Sequence, residues 1–150
     1  MSEEHALPVP RSPSPVPIFT LPVRVYWEDT DAGGVVYHAR YLHFLERART
    51  EWLRGRGVDQ VKLREQHGIV FVVSEMDLQF RSPAKLDDEL VATIDSFTRR
   101  SASMLFTQCI LRPADGARLI QARVRAACVD AATFKPTRIP DFLLMEHLDA

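Results

Sequence analysis

Cysteine is scarce in this sequence: its 150 residues include only Cys109 and Cys128, which share no CxxC spacing. Two isolated cysteines argue against a structural zinc site and against a disulfide framework. Sequence alone leaves a bridge between them open, but two reduced, buried thiols are the expectation in a cytosolic protein.

Long apolar runs are missing as well. No stretch approaches the roughly 20 apolar residues that a bilayer-spanning helix needs. The N-terminus reads Met-Ser-Glu-Glu-His, which is acidic where a signal peptide is basic, and no apolar segment follows it. We therefore predict a cytoplasmic protein without stable membrane insertion.

Neither sign of charge dominates. The net charge is −1 at pH 7, so no global field attracts nucleic acid, and we predict no nucleic-acid partner. The sequence also lacks a Gly-x-Ser-x-Gly elbow, a Walker loop and a dinucleotide fingerprint, and we predict no cofactor. The apolar share of 46% is typical of a soluble globular protein, and the length suits one domain.

Proline is concentrated near the N-terminus, where six of the ten prolines fall between Pro8 and Pro22. Proline removes a backbone donor and biases the preceding residue towards extended structure. We therefore predict a disordered tail over residues 1–18 and a single domain over residues 19–150. An SH3-type ligand is the alternative role of this tail.

The pattern of apolar residues predicts the order of the secondary structure. Alternation over residues 21–28 is typical of a half-buried strand, and a loop follows over 29–39. A broad apolar stripe then predicts a helix that begins around 39 or 40 and ends near 54, where two glycines follow.

Four strand-like runs follow, after a short helix around residues 61–66. They cover residues 72–81, about 89–99, 103–112 and 118–129, and a short terminal helix is predicted over 141–148. One long helix against a five-stranded antiparallel sheet is an α+β architecture, and the width of the apolar stripe favours a sheet that curls around the helix.

The loop before the long helix concentrates polar residues. Asp29, Asp31 and His38 flank Gly33-Gly34, and this mixture suits acid–base or nucleophilic chemistry beside the free N–H groups of a helix N-terminus. An aspartate before two glycines is also typical of an Asx-turn or cap. A metal site from these residues lacks a second histidine, and we predict none.

This loop and the helix after it resemble a known family. The run resembles the signature of the Tol–Pal-associated acyl-CoA thioesterases, in the 4-hydroxybenzoyl-CoA thioesterase branch of the hotdog superfamily, and covers residues 23 to 54: VRVYWEDTDAGGVVYHARYLHFLERARTEWLR. The resemblance extends, with shorter matches, over roughly residues 20–138. It implies a hotdog fold, in which a five-stranded antiparallel sheet wraps around one long central helix.

The resemblance also implies the chemistry. The family's catalytic carboxylate matches Asp31, which would attack the thioester carbonyl or act as a base on water. His38 matches a position near the thioester. Glu46, on the helix, is interpreted as structural. The residues predicted to bind substrate, including backbone donors at the start of the strand after the connector, are Gly33, Gly34, Val35, Tyr37, Ile69, Val70, Phe71 and Val72.

The partners implied by the resemblance are an acyl-CoA substrate, or an acyl carrier protein, and a second copy of the chain in a homodimer or homotetramer with the site between protomers. Two alternatives stay open. His38 with Glu46 is similar to the His–acid pair of hotdog hydratases and dehydratases. A non-catalytic acyl-CoA-binding or scaffold role at the Tol–Pal envelope system is the other.

Overall fold

The computed structural model describes residues 16–143. Most of the predicted N-terminal tail and most of the predicted terminal helix therefore lie outside the described residues. A short 3-10 helix, Trp27–Asp29, follows the first strand. The other elements are β1 Phe19–Arg24, α1 Arg40–Gly55, α2 Gln60–His67, β2 Ile69–Phe80, β3 Glu89–Ile94, β4 Ser96–Arg99, β5 Ser103–Arg112 and β6 Ala117–Asp130.

The strands form one antiparallel sheet in the order β1-β3-β5-β6-β2, and the short β4 pairs with β5. Helix α1 packs against β1, β3 and β5, so it lies across one face of the sheet. This is the expected hotdog architecture, and the prediction of that fold is confirmed. Within residues 16–143, neither helix has the length and apolar character required to cross a bilayer.

Helix α1 forms where the apolar spacing predicts it. Its buried face consists of residues three or four positions apart, the spacing of one side of an α-helix. Burying each large apolar side chain contributes about 1.5–3 kcal/mol, which outweighs the modest helix propensity of the aromatic residues. The buried apolar residues of α1 are Tyr41, Phe44, Leu45, Ala48, Trp52 and Leu53.

The core has two parts, one at each end of α1. The first half of the helix, including Tyr41 and Phe44, packs with residues of β1, β3 and β6. The second half, including Trp52 and Leu53, packs with the start of β2 and with β5. The two ends of the helix therefore contact different parts of the sheet.

The strand predicted over residues 89–99 forms two separate strands, β3 and β4, in the structure. The run over 89–99 divides at Asp95, because Thr93 and Asp95 replace part of the ladder with side-chain hydrogen bonds. The Thr93 hydroxyl donates to Asp95 Oδ1 at 2.8 Å and accepts from the Cys109 N–H at 3.0 Å. The sheet therefore has six strands where the sequence predicted five.

Trp27 is not a core residue. The sequence pattern places it on the apolar side of the first strand, but β1 ends at Arg24 and Trp27 opens the 3-10 helix with 79% of its surface exposed. Trp52, the other tryptophan, is buried in the core.

Both cysteines are buried and free, as expected. Burial raises the pKa of the Cys109 thiol to about 12, and a hydrogen bond with Asp95 adds to this effect. Burial also raises the pKa of Cys128. Both groups are therefore neutral thiols at physiological pH and poor nucleophiles.

Candidate active site

The loop before α1 is a closed turn. A bridge between Thr30 and Val36 joins its two sides. Inside it, the Asp31 N–H donates to the Val35 carbonyl at 2.9 Å, and the Gly34 N–H donates to the Asp31 carbonyl at 3.0 Å. Gly34 has φ of 81°, which glycine adopts without strain. The turn therefore fixes Asp31 at its exposed tip.

One of the two oxygens of the Asp31 carboxylate accepts a hydrogen bond from the protein. Its Oδ1 accepts a hydrogen bond from the Gly33 N–H at 2.8 Å, which is the Asx-turn considered from the sequence. Among residues 16–143, nothing donates a hydrogen bond to its other oxygen, and the residue is exposed. The Asx-turn and a chemical role are therefore compatible, because the turn orients the carboxylate and leaves one oxygen available.

Asp29 has a different environment from Asp31, two residues away. It is only 4% exposed, and its Oδ1 accepts from Arg40 Nε at 2.9 Å and lies 2.7 Å from Arg40 Nη2. Its Oδ2 accepts from the Tyr26 N–H at 2.8 Å. Both oxygens are occupied by the protein, so Asp29 holds the loop against the first turn of α1.

His38 is exposed and lies directly before the N-cap of α1, Ala39. Its ring packs against that of Tyr37, with the ring centroids 4.5 Å apart. The Tyr37 N–H is engaged with the Asp29 carbonyl at 2.8 Å. Asp31 and His38 are therefore both exposed residues of the segment between the 3-10 helix and α1.

Backbone donors at this helix end are unused. Within the described part of the chain, the N–H groups of His38 and Ala39 have no hydrogen-bond acceptor. The first N–H groups of a helix carry partial positive charge, which suits them to bind a carbonyl oxygen that becomes negative. Sequence reasoning anticipated free donors at a helix N-terminus but not these two residues.

Hydrogen bonds hold the loop against the segment between β2 and β3, through residues that the sequence did not indicate. The Val36 N–H donates to the Ala84 carbonyl at 2.8 Å, and the Ala84 N–H donates to the Tyr41 hydroxyl at 3.0 Å. Burial raises the pKa of Tyr41, so the hydroxyl stays protonated. One of the shorter sequence matches to the family covers residues 83–88, which is the segment where the loop is anchored.

The predicted binding segment Ile69–Val72 is not close to Asp31 within one chain. Ile69 packs with the last turn of α1, whereas the Phe80 ring lies 6.0 Å from the Tyr41 ring in the first turn. A strand of 12 residues is about 36 Å long. The start of β2 is therefore at the opposite end of α1 from the loop.

Glu46 is also remote from the loop. It is exposed two turns along α1 and lines a separate cavity of about 600 Å³ beside the second half of the helix. No interaction joins it to His38 among the described residues, so the pair considered for a hydratase does not form within one chain. Over the same residues, no group of three or more His, Cys, Asp and Glu side chains is arranged to hold a metal ion.

An antiparallel sheet of this strand order, packed against one long helix, defines a hotdog fold. The chain belongs to the Thioesterase-like superfamily, which matches residues 25–146. This membership confirms the resemblance to the acyl-CoA thioesterases that the sequence indicated.

Individual relatives are similar over most of their length. The chain is 48% identical to "Acyl-CoA thioesterase YbgC" of Haemophilus influenzae over 81% of this chain and 88% of that protein. It is 44% identical to "Acyl-CoA thioester hydrolase YbgC" of Escherichia coli over 86% and 95%. The crystal structure of "Probable Thioesterase from Bartonella henselae" matches with a TM-score of 0.74 and 38% identity, over 81% and 98% of the two chains.

Proposed function

We propose that this protein hydrolyses acyl-CoA thioesters to a free acid and coenzyme A, with Asp31 as the catalytic carboxylate. The observation that carries the proposal is an exposed loop in which, among the described residues, one Asp31 oxygen and the N–H groups of His38 and Ala39 have no hydrogen-bond partner. Curated relatives at 44–48% identity are named as acyl-CoA thioesterases, which supports the same reaction here.

The geometry supports a division of roles. The thioester carbonyl oxygen accepts hydrogen bonds from the His38 and Ala39 N–H groups, which stabilise negative charge on it in the transition state. Asp31 attacks the carbonyl carbon or takes a proton from an attacking water. Where water attacks directly, its oxygen ends on the acyl carbon; where Asp31 attacks, water cleaves the resulting mixed anhydride in a second step. In both routes the carbon–sulfur bond breaks, and a proton goes to the sulfur.

His38 belongs to the same site in this proposal. His38 supplies one of the unused N–H groups itself, and its exposed imidazole packs against the Tyr37 ring. Gly33, Gly34 and Val35 surround Asp31 and form the rest of the substrate contact on this chain. Gly33 is close enough to Asp31 that any larger residue presses on the carboxylate.

The proposed active form is a dimer joined through β2. This strand is a sheet edge in which Val72 and Val73 are 37% and 48% exposed. The opposite edge, β1, carries Pro22 and Arg24, which discourage strand pairing. The first part of β2, Ile69–Val73, carries neither proline nor charge, which favours pairing with a second copy, and a homotetramer of two such dimers is the larger alternative.

Antiparallel pairing of two β2 strands also explains the distance between the predicted site residues. Because the strands run in opposite directions, the start of the partner's β2 lies next to the end of this chain's β2. That end is beside the first turn of α1, where Phe80 contacts Tyr41. The segment Ile69–Val72 then belongs to the site of the partner rather than to its own.

We also propose a cytoplasmic location for the enzyme. The two free, buried cysteines support the cytoplasm, where thiols stay reduced. The resemblance to Tol–Pal-associated thioesterases supports a link to that envelope system, and acyl carrier protein is the alternative carrier of the acyl group.

Thiol release from a panel of acyl-CoAs tests the reaction, with a crotonyl-type substrate to detect hydration. Asp31→Asn keeps the shape of the side chain and removes its charge, so turnover should fall by at least about 10²-fold, the scale for losing one acid–base group. Asp141→Asn is the control, because Asp141 is exposed and pairs only with Arg138. Turnover near the wild-type value in Asp31→Asn would overturn the catalytic assignment.

A single turnover in ¹⁸O-labelled water with excess enzyme distinguishes the two roles of Asp31. Attack by Asp31 gives a mixed anhydride, and its cleavage at the Asp31 carbonyl leaves label in the enzyme. Label in the acyl product alone is expected for a general base, and also for cleavage at the acyl carbonyl.

A further inference from the structure

The cavity beside the second half of α1 is large enough for an acyl group. Its volume of about 600 Å³ is in the range of ligand pockets in proteins. The walls come from both helices and from β2, β5 and β6, and none of them belongs to the Asp31 loop. Its main apolar residues are Leu53, Val58, Phe71, Met104, Phe106 and Ala126.

A buried cation, the Arg49 guanidinium, lines one side of this cavity. Arg49 lines the cavity and is 7% exposed, and its Nη1 donates to Gln108 Oε1 at 3.0 Å. Gln108 is fully buried, and its amide nitrogen donates to the carbonyls of Leu45 and Thr93 at 3.1 Å each. These two bonds fix the Gln108 amide, so Arg49 is held in place by a neutral group.

No carboxylate pairs with Arg49 in the part of the chain that the structure describes. Among residues 16–143, no ion pair includes Arg49, and Gln108 is its one hydrogen-bond partner. Burial lowers the pKa of Arg49, and the field of Glu46, exposed one turn earlier, opposes this only in part. A buried charge is costly unless an opposite charge and hydrogen bonds compensate it, so the site is suited to an anion.

The dimer proposed above determines what this cavity faces. Phe71 and Val73 line the cavity and lie in the first part of β2. Antiparallel pairing brings that part of β2 beside the end of the partner's β2 and its Asp31 loop. The cavity of one chain then adjoins the thioester bound to the other, so this inference rests on the proposed function.

We propose that the cavity holds the acyl group of a thioester bound at the partner's Asp31, and that Arg49 selects acyl groups ending in a second carboxylate. The apolar walls pack against the methylene chain, and the guanidinium donates paired hydrogen bonds to the terminal carboxylate. Arg49 is a specificity-determining residue in this arrangement and takes no part in breaking the thioester.

Matched pairs of substrates test the selection. Thiol release is measured for adipoyl-CoA against hexanoyl-CoA, and for suberoyl-CoA against octanoyl-CoA. In the wild-type enzyme, kcat/KM should favour the carboxylated member of at least one pair by about tenfold or more, the factor that one hydrogen bond to a charged group supplies. Equal or lower kcat/KM for the carboxylated member of both pairs overturns the proposal without using any variant.

Variants assign the preference to Arg49. Arg49→Met should remove it, and Arg49→Lys should keep part of it because the charge remains. Arg47→Gln, an exposed arginine on the same helix, should leave the ratio unchanged. Thermal melting checks that each variant folds. A preference that survives in folded Arg49→Met contradicts the assignment.

Calorimetry separates this inference from the proposed reaction. Asp31→Asn, which should consume substrate at least about 10²-fold more slowly than the wild type, is titrated with adipoyl-CoA and with hexanoyl-CoA. Tighter binding of adipoyl-CoA supports the Arg49 site even if no thioester is hydrolysed by the wild type, the result that would refute the proposed function alone. Equal affinities would refute the site and leave hydrolysis untouched.

Discussion

The buried Asp29 and the half-buried Arg40 form an ion pair that ties the loop to α1. The carboxylate Oδ1 accepts from Arg40 Nε at 2.9 Å and lies 2.7 Å from Nη2, while Oδ2 accepts from the Tyr26 N–H. The carbonyl of Asp29 accepts from the Tyr37 N–H. One residue thus joins the entry of the loop, its exit and the helix that follows.

The first prediction concerns this pair. Arg40→Met leaves the Asp29 carboxylate buried without a cation, so unfolding free energy should fall by about 2–3 kcal/mol, the scale of a lost hydrogen bond to a charged group. Urea unfolding measures it. Turnover should fall more than KM changes, because the loop carrying Asp31 loses its anchor. Glu28→Gln is the control, since the exposed Glu28 lies 3.9 Å from Arg40 Nη2 and such pairs contribute little.

The second prediction concerns Gly33. A Cβ at this position would lie 3.1 Å from Asp31 Oδ1, so Gly33→Ala should displace the carboxylate by a few tenths of an ångström. We expect kcat to fall about three- to tenfold while the melting temperature changes little, because catalysis depends more steeply on geometry than stability does. Steady-state kinetics and thermal melting measure the two effects.

Gly55→Ala provides the comparison for Gly33→Ala. Gly55 ends α1, and a Cβ there meets nothing within 4 Å. Alanine in a helix is more favourable than glycine, so this variant should keep full activity and gain stability. Full activity in Gly33→Ala as well would contradict the positioning of Asp31 by its neighbour.

The sequence predicts α1 well and the roles of its two neighbouring aspartates poorly. Helix spacing and terminal glycines are local signals, so the bounds agree within about one residue. Asp29 and Asp31 are both acidic loop residues, and only the position of Arg40, eleven residues later, separates a buried structural carboxylate from an exposed one. The unused N–H groups of His38 and Ala39 are backbone atoms, which residue type does not reveal.

The division of β3 and β4 was unpredictable for a similar reason. Thr93 and Asp95 fit the alternation of a strand, and the break depends on their hydrogen bonds to each other and to Cys109 on β5. Likewise, sequence order places Ile69–Val72 after the connector but says nothing of the direction of β2 along α1. The distance to Asp31 follows only from the packing of both ends of that strand.

The third prediction concerns pH. Hydrogen bonds from the Thr133 and Ala132 N–H groups lower the pKa of Asp130 below its ordinary value, so the ionised form is favoured in the folded state. The resulting stabilisation is present above the unfolded pKa near 4 and is lost as pH falls through the lower folded value. Asp130→Asn should therefore be less stable than the wild type at pH 7, with the difference shrinking below about pH 4. Urea midpoints across this range measure it, and a difference independent of pH would contradict the argument.

The last prediction concerns the exposed edge of the sheet. Val72 and Val73 present an apolar edge on β2, and a lysine at Val73 should oppose strand pairing between two copies. If the site needs the partner's β2, Val73→Lys should give a monomer by light scattering and lose most thiol release, although its Asp31 is intact. Thr20→Lys puts the same charge on the exposed face of β1, the other edge, and should keep both the assembly and the activity. Dilution gives an independent measurement, because activity per chain should fall as the scattering mass falls. A monomer with undiminished turnover would exclude a shared site and return the substrate contacts to a single chain.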